Sequence, residues 1–281
     1  MKFSVVIPYH NDGSKWEHDG ELRYMLRSID ENFDFDYDVT IFARKNIPWI
    51  QNAKVLNIER YYPPHIMEKM KWKKPHYENF FDTINKIKLA SQMDDLQENI
   101  LYTYDDVILL KKQSEEQIRT VYGSSKLTDK NIHFWMNPGK NKWKNTIFQA
   151  IDRAKGFGQV YLYETHLPRY FTKSNLRQMF KIFPIDKVDI PYAPSTLYYN
   201  MFYDKPDYLY MESDEAVDNK IKAGFYQQDY HLCDSFSSLD MESVEKAVKD
   251  KIWLNYNDRG LTEHLKKWIY TRFTKKSRFE K

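Results

Sequence analysis

Phe3-Ser-Val-Val-Ile-Pro8 is a short apolar, β-branched run stopped by proline, which predicts a buried strand starting almost at the first residue. A polar stretch follows from His10 to His18. Asp19 then stands at the N-cap position of a segment in which Leu22, Met25, Leu26, Ile29 and Phe33 recur at helical spacing, so the next element is an amphipathic helix. Residues 39–43 and 55–58 are two further strand-like runs, separated by a loop carrying Pro48 and Trp49. Strand, helix, strand, strand is the order of one half of a doubly wound α/β sheet.

A proline- and lysine-rich stretch at 62–75 reads as a flap, and a helix is predicted over about 77–93 from Phe80, Phe81, Ile84, Ile87 and Leu89. Next comes Ile100-Leu-Tyr-Thr-Tyr104, then Asp105-Asp106, then Val107-Ile-Leu-Leu110: two acids interrupting an otherwise continuous buried strand. Beyond Lys111 the texture is of mixed strands and helices, at 132–136, 146–154, 159–163, 174–183, 195–203, 242–249 and 261–273. There is no internal repeat, low-complexity tract or Gly/Ser linker. The expectation is a single domain over 1–281, with a nucleotide-binding half to residue 125 and a mixed α/β acceptor-binding half over 126–281.

Charge narrows the picture. Lys and Arg total 43 against 40 Asp and Glu, a net +3 with both signs interspersed, far from the excess of a dedicated nucleic-acid binder. The one cysteine, Cys233, precludes an intramolecular disulfide and a Cys-x-x-Cys metal site, and so predicts a reducing, cytoplasmic compartment. Residues 1–10 lack a signal-peptide pattern, and no apolar run approaches the ~20 residues that span a bilayer. Aromatic content of 16%, with 22 Tyr, is enough to line ligand surfaces as well as the core.

Adjacent carboxylates between apolar β segments are unfavourable unless their charge is compensated, and a divalent cation bridging phosphate oxygens does this. Asp105 and Asp106 are therefore the expected metal ligands, with His231 as a late third; an acidic turn between hairpin strands, both side chains in water, is the competing reading. Pro8, Tyr9, His10, Asn11 and Asp12, after the first strand, lie where open α/β sheets hold a nucleotide. Tyr9 is expected to stack on a base and Asn11 and Asp12 to bond the base or ribose. The charged face of the first helix, Glu21, Arg23 and Arg27, is expected in the same cleft, with the helix N-terminus toward the phosphates. Glu164 and His166, at the end of a predicted strand, are candidates for the general base on an acceptor hydroxyl. Asn255, Asn257 and Asp258 form a polar cluster suited to phosphate or hydroxyls, although Asn and Asp before Gly260 are also ordinary turn residues.

Two resemblances meet in these residues. Ser4-Val-Val-Ile-Pro-Tyr-His-Asn11 resembles the first strand and nucleotide loop of GT-A glycosyltransferases. Glu21-Leu-Arg-Tyr-Met-Leu-Arg-Ser-Ile29, Ile47-Pro-Trp-Ile50 and Tyr104-Asp-Asp-Val107 resemble blocks of the Stealth family of hexose-1-phosphate transferases. His166-Leu-Pro168, Leu254-Asn255 and Ser277-Arg-Phe-Glu280 resemble its later blocks in the same order. The resemblance implies a GT-A-like, Rossmann-type, mostly parallel sheet flanked by helices. It also implies roles for Glu21 and Arg23, for Asp105 and Asp106 as metal or substrate residues, and for His166 in catalysis. The Stealth pattern has an arginine after the third block, and Val188–Thr196 has none.

The resulting expectation is a transferase, dependent on Mn²⁺ or Mg²⁺, that moves a sugar from a nucleotide sugar, a UDP-sugar first, to a glycan, lipid-linked or other hydroxyl acceptor. Stealth-type transfer of a sugar phosphate in polysaccharide synthesis is the alternative. A second alternative is a carbohydrate- or nucleic-acid-binding module using Lys71-Trp-Lys-Lys74 and Lys140-Asn-Lys-Trp-Lys144.

Overall fold

A computed structural model describes residues 2–9, 16–69, 77–129, 132, 139, 141–163, 167–211, 230–233, 241–249, 251–256 and 260–281. The first part of the chain runs β1 (Phe3–Pro8), α1 (Gly20–Asn32), β2 (Tyr37–Ala43), β3 (Lys54–Asn57), α2 (Pro64–Lys69), α3 (Glu78–Gln92) and β4 (Asn99–Tyr102). The strands that follow are β5 (Val107–Leu109), β6 (Tyr122–Lys126), β7 (Tyr161–Leu162), β8 (Arg169–Thr172), β9 (Tyr208–Met211), β10 (Tyr230–Cys233) and β11 (Trp253–Tyr256). Helices lie between them at Lys142–Ala154, Lys173–Ile182, Pro194–Phe202 and Met241–Val248, and Glu263–Arg272 comes last.

The central sheet has the order β3-β2-β1-β4-β8, parallel except for β8 at one edge. Val5 of β1 stands opposite Val39 on one side and Leu101 on the other, so the strands expected at 3–8 and 100–104 are direct neighbours. Alternation along β1 divides the core. Phe3, Val5 and Ile7 pack with Leu22, Met25, Leu26 and Ile29 of α1, whereas Val6 joins Phe81, Ile84 and Ile87 of α3 on the opposite face. Full burial of each such side chain contributes about 1.5–3 kcal/mol, so both faces of the sheet hold their helices firmly. The fold is mixed α/β with a mainly parallel sheet flanked by helices.

The sequence between β4 and β5 departs from expectation. Residues 100–110 are not one strand broken by two acids; β5 belongs to a second sheet of order β10-β11-β5, antiparallel to β11. The other edge of β5 is closed by α1 through side chains. The Leu109 N–H donates to Ser28 Oγ at 3.0 Å, and Asn32 Nδ2 donates to the Leu109 carbonyl at 3.0 Å and to that of Ser28 at 3.0 Å. Both polar side chains are buried, which explains why they sit on the apolar face of the helix. Asn32→Ala would strand the Leu109 carbonyl, and thermal melts should show a loss of about 1–3 kcal/mol; unchanged stability would mean the bond contributes nothing.

The C-terminus is stitched to the front of the molecule. Ile50 and Glu280 form an antiparallel bridge, the Gln51 N–H donates to the Phe279 carbonyl at 2.9 Å, and the Lys281 N–H donates to that of Trp49 at 3.0 Å. Phe279 is buried in the α1 side of the core. Glu280 receives Arg27 Nε at 2.7 Å, Arg27 Nη2 at 2.9 Å and Arg23 Nη1 at 3.1 Å. Segments 21–29, 47–50 and 277–280 thus meet in one place.

Candidate functional site

In the central sheet the strand order reverses at β1: β2 and β3 lie to one side and β4 to the other. Ligands in open α/β sheets bind at such a point, beyond the carboxyl ends of the strands. Tyr9 follows β1 there, and Thr103, Tyr104, Asp105 and Asp106 follow β4. The two acids occupy the crossing from the first sheet to the second. The Asp106 carbonyl accepts the Tyr256 N–H at 3.1 Å, and Asn255 Nδ2 lies 3.2 Å from that carbonyl and 3.3 Å from Asp106 Oδ1. Asn255 is buried, and the contact its amide makes is to the acid itself.

Asp105 keeps part of its residue surface exposed, while its carboxyl is closely surrounded by protein. Burial, followed by the charges of Asp106 and Glu21, pushes its carboxyl well above the usual carboxylate range, with its own backbone and Lys86 opposing this. Glu21, in the first turn of α1, is itself buried. Asp105 thus lies close enough to Asp106 and Glu21 for both charges to act on it. Beside it lies the Tyr256 hydroxyl, buried and without a hydrogen-bond partner among the described residues, and raised well above its ordinary pKa by burial and then by Glu21, Asp106 and Asp105.

This donor set suits a hard divalent cation, which takes oxygen ligands and is commonly held by one or two carboxylates plus phosphate oxygens and water. Among the described residues no three His, Cys, Asp or Glu side chains form a metal cage by themselves, so the remaining positions would fall to a ligand or to water.

Tyr9 does not have the role its position suggested. It is fully enclosed, its hydroxyl donates to Asp19 Oδ1 at 2.6 Å, and no ring face is open for a base to stack on. Burial, then Asp19, raises its pKa far above the ordinary value. Asp19 does not cap α1 either. Its backbone is left-handed, its carboxylate makes no cap hydrogen bond, and Oδ2 instead accepts Trp49 Nε1 at 2.7 Å.

Arg23 and Arg27 were expected in the cleft with Glu21. At about 100° per residue, Arg23 points roughly 160° away from Glu21 around the helix. It and Arg27, one turn on, face the C-terminal segment. The three guanidinium nitrogens of Arg27 bond Glu280 and the Phe273 carbonyl, and Arg23 lies 3.8 Å over the Trp49 ring while bonding Glu280 and the His18 carbonyl. Pro8 ends β1 opposite Phe42. His231 stands opposite Leu254 in the β10–β11 pair, and its side chain lies outside the described residues. His10, Asn11, Asp12, Glu164, His166, Asn257 and Asp258 also lie outside them.

Two charged residues near this edge went unnoticed in the sequence. Arg169 pairs with Tyr102 in the β4–β8 ladder, is buried, and donates from Nη1 to the Tyr104 hydroxyl at 2.9 Å. Because β8 runs antiparallel, its first residue arrives at the carboxyl end of β4. The signal was present: Arg169 directly follows the His166-Leu-Pro168 block. Lys86 of α3 is buried against Asp82, with Nζ 2.8 Å from Oδ2, and its charge reaches Asp105.

No protein-family model matches the sequence, and no curated protein matches it. Among solved structures, an active-site mutant of LgtC is similar at 9% identity with a TM-score of 0.46, covering 98% of each chain. The galactosyltransferase LgtC in complex with donor and acceptor sugar analogues is similar at 8% identity, again with a TM-score of 0.46 and 98% of each chain. Likeness at that level assigns no residue a role.

Proposed function

We propose that the chain is a metal-dependent glycosyltransferase that moves a sugar from a nucleotide sugar, a UDP-sugar first, to a hydroxyl acceptor. The observation that carries this reading is the Asp105–Asp106 pair, presented with Glu21 at the reversal of strand order. Asp105 and Asp106 are the residues to hold a divalent cation, which when bound neutralises the diphosphate leaving group. Asn255 fixes the orientation of Asp106, and Glu21 adds to the negative field that attracts a cation. The base is assigned to Glu164 or His166, which takes the proton of the acceptor hydroxyl as its oxygen attacks the anomeric carbon. The bond from that carbon to the diphosphate breaks, and the nucleoside diphosphate leaves with the electron pair. The lone Cys233 keeps the assignment to a reducing, cytoplasmic compartment.

A thermal-shift screen of UDP-, GDP-, CDP- and dTDP-sugars with Mn²⁺ or Mg²⁺ tests the reading. One nucleotide series should stabilise the protein only when metal is present, by about 2.7 kcal/mol at a hundredfold excess over Kd. No shift with any donor and either metal rejects it.

Arg169 favours a second reading, transfer of a sugar phosphate. A buried guanidinium at the same sheet edge is the kind of group that stabilises charge on a phosphoryl in transfer. In that case the acceptor oxygen attacks the β-phosphorus and nucleoside monophosphate is released. The identity of the nucleotide product, diphosphate or monophosphate, separates the two.

A further inference from the structure

His18 and Asp19 have φ values of 58° and 57°, two successive left-handed residues, neither of them glycine, immediately before α1. Side chains disfavour this conformation, and where it persists the surroundings must hold it. Here three separate parts of the chain do so. The Asp19 carboxylate takes the Tyr9 hydroxyl at 2.6 Å from the end of β1 and the Trp49 indole N–H at 2.7 Å from the loop after β2. Arg23 Nε donates to the His18 carbonyl at 2.7 Å while its guanidinium lies over the Trp49 ring and donates from Nη1 to Glu280 near the C-terminus. Trp16 packs so closely over the next residue that a Cβ on Gly20 would lie 2.3 Å from its ring.

A carboxylate at an N-cap position ordinarily bonds the free N–H groups of its own helix. Asp19 instead ties Tyr9, the first residue beyond β1, to the start of α1, two residues before Glu21. Those are the two elements that bring the β1 end and Glu21 toward the acidic pair.

We propose that Asp19 is a positioning residue for the nucleotide site: by clamping Tyr9 and Trp49 it sets the distance and angle between the end of β1 and the first turn of α1. This rests on the reading of the Asp105–Asp106 region as a metal–nucleotide site. The clamp touches no ligand; it acts through the placement of Glu21 and of the chain leaving β1.

Tyr9→Phe deletes one donor while keeping the ring, Trp49→Phe deletes the other while keeping an aromatic side chain, and Asp19→Ala removes the shared acceptor. Binding of UDP, GDP, CDP and dTDP, each with Mn²⁺, is measured by calorimetry well below the melting temperature, so that every variant is folded. For the nucleotide that the wild type binds, Kd should rise on the order of tenfold in each single variant. Tyr9→Phe combined with Asp19→Ala should be no worse than Asp19→Ala alone, because both break one contact. Variants that melt lower but keep the wild-type Kd would overturn the positioning role while leaving the site reading intact. Fully additive losses in the double variant would also overturn it. A wild type that binds none of the four nucleotides overturns the site reading and this role with it.

Discussion

Asp106→Asn should leave the fold intact and lower donor turnover by about a hundredfold or more, because a metal contributes several kcal/mol of charge stabilisation at a diphosphate. Metal-dependent donor binding should fall with it. The amide keeps the shape of the carboxyl, and the main-chain bond from Tyr256 to the Asp106 carbonyl is untouched. Asp105→Asn should add a distinct signature in the absence of metal. The Asp105 carboxyl is held above its ordinary pKa by burial and by the charges of Asp106 and Glu21, so in the folded protein it binds its proton more tightly than in the unfolded chain. Its ionisation therefore costs stability as pH rises from the ordinary carboxylate pKa of about 3.9 through the raised folded value. The metal-free Asn variant should melt higher than the wild type at neutral pH, and the gap should close below about pH 4. Saturating Mn²⁺ should reverse the order by stabilising only the wild type. An Asp106→Asn enzyme with full donor affinity, full turnover and unchanged Mn²⁺ dependence rejects the metal site.

Glu280→Gln should produce the largest loss of stability, although it lies one residue from the C-terminus. Its side chain contacts no solvent, and the N–H and guanidinium groups around it lower its pKa from 4.5 to about 2 against the cost of burial. At about 1.4 kcal/mol per pKa unit the shift corresponds to about 3.5 kcal/mol, and because the Arg23 and Arg27 side chains remain partly exposed, about 2–3 kcal/mol is the expected loss. For a chain of this size the melting temperature should fall by roughly 5–10 °C. A depressed carboxyl pKa contributes stability that is complete above the unfolded value and lost as pH falls through the folded one. The gap between wild type and variant should therefore be full at pH 6–7 and shrink between about pH 4.5 and pH 2. Equal melting temperatures at pH 7 would show that Arg23 and Arg27 are content without their partner.

The periodic signals were local, and where structure depends on them they were legible. The apolar run at 3–8 makes a buried strand whichever strand it pairs with, and the helical spacing of Leu22, Met25, Leu26 and Ile29 buries that face whatever covers it. The order of elements through β4 follows, and with it the reversal at β1 beside which Asp105 and Asp106 stand. What could not be read was the identity of each polar partner. Asp19 has the type and place of an N-cap, but two donors distant in sequence, Tyr9 and Trp49, claim its carboxylate. Arg23 and Arg27 share a helix with Glu21, but they face a glutamate more than 250 residues away.

The sequence by itself determined a strand–helix–strand sheet with an acidic pair at the carboxyl ends of its strands, because hydrophobic periodicity and the cost of adjacent carboxylates between apolar segments are properties of short segments. Only the tertiary structure decided that residues 100–110 divide between two sheets, that Asn255 and Glu21 converge on the acids, and that Arg169 arrives at the same edge. Strand pairing and charge compensation are chosen among all the partners a folded chain brings within a few ångströms, and distance along the sequence carries no record of that choice.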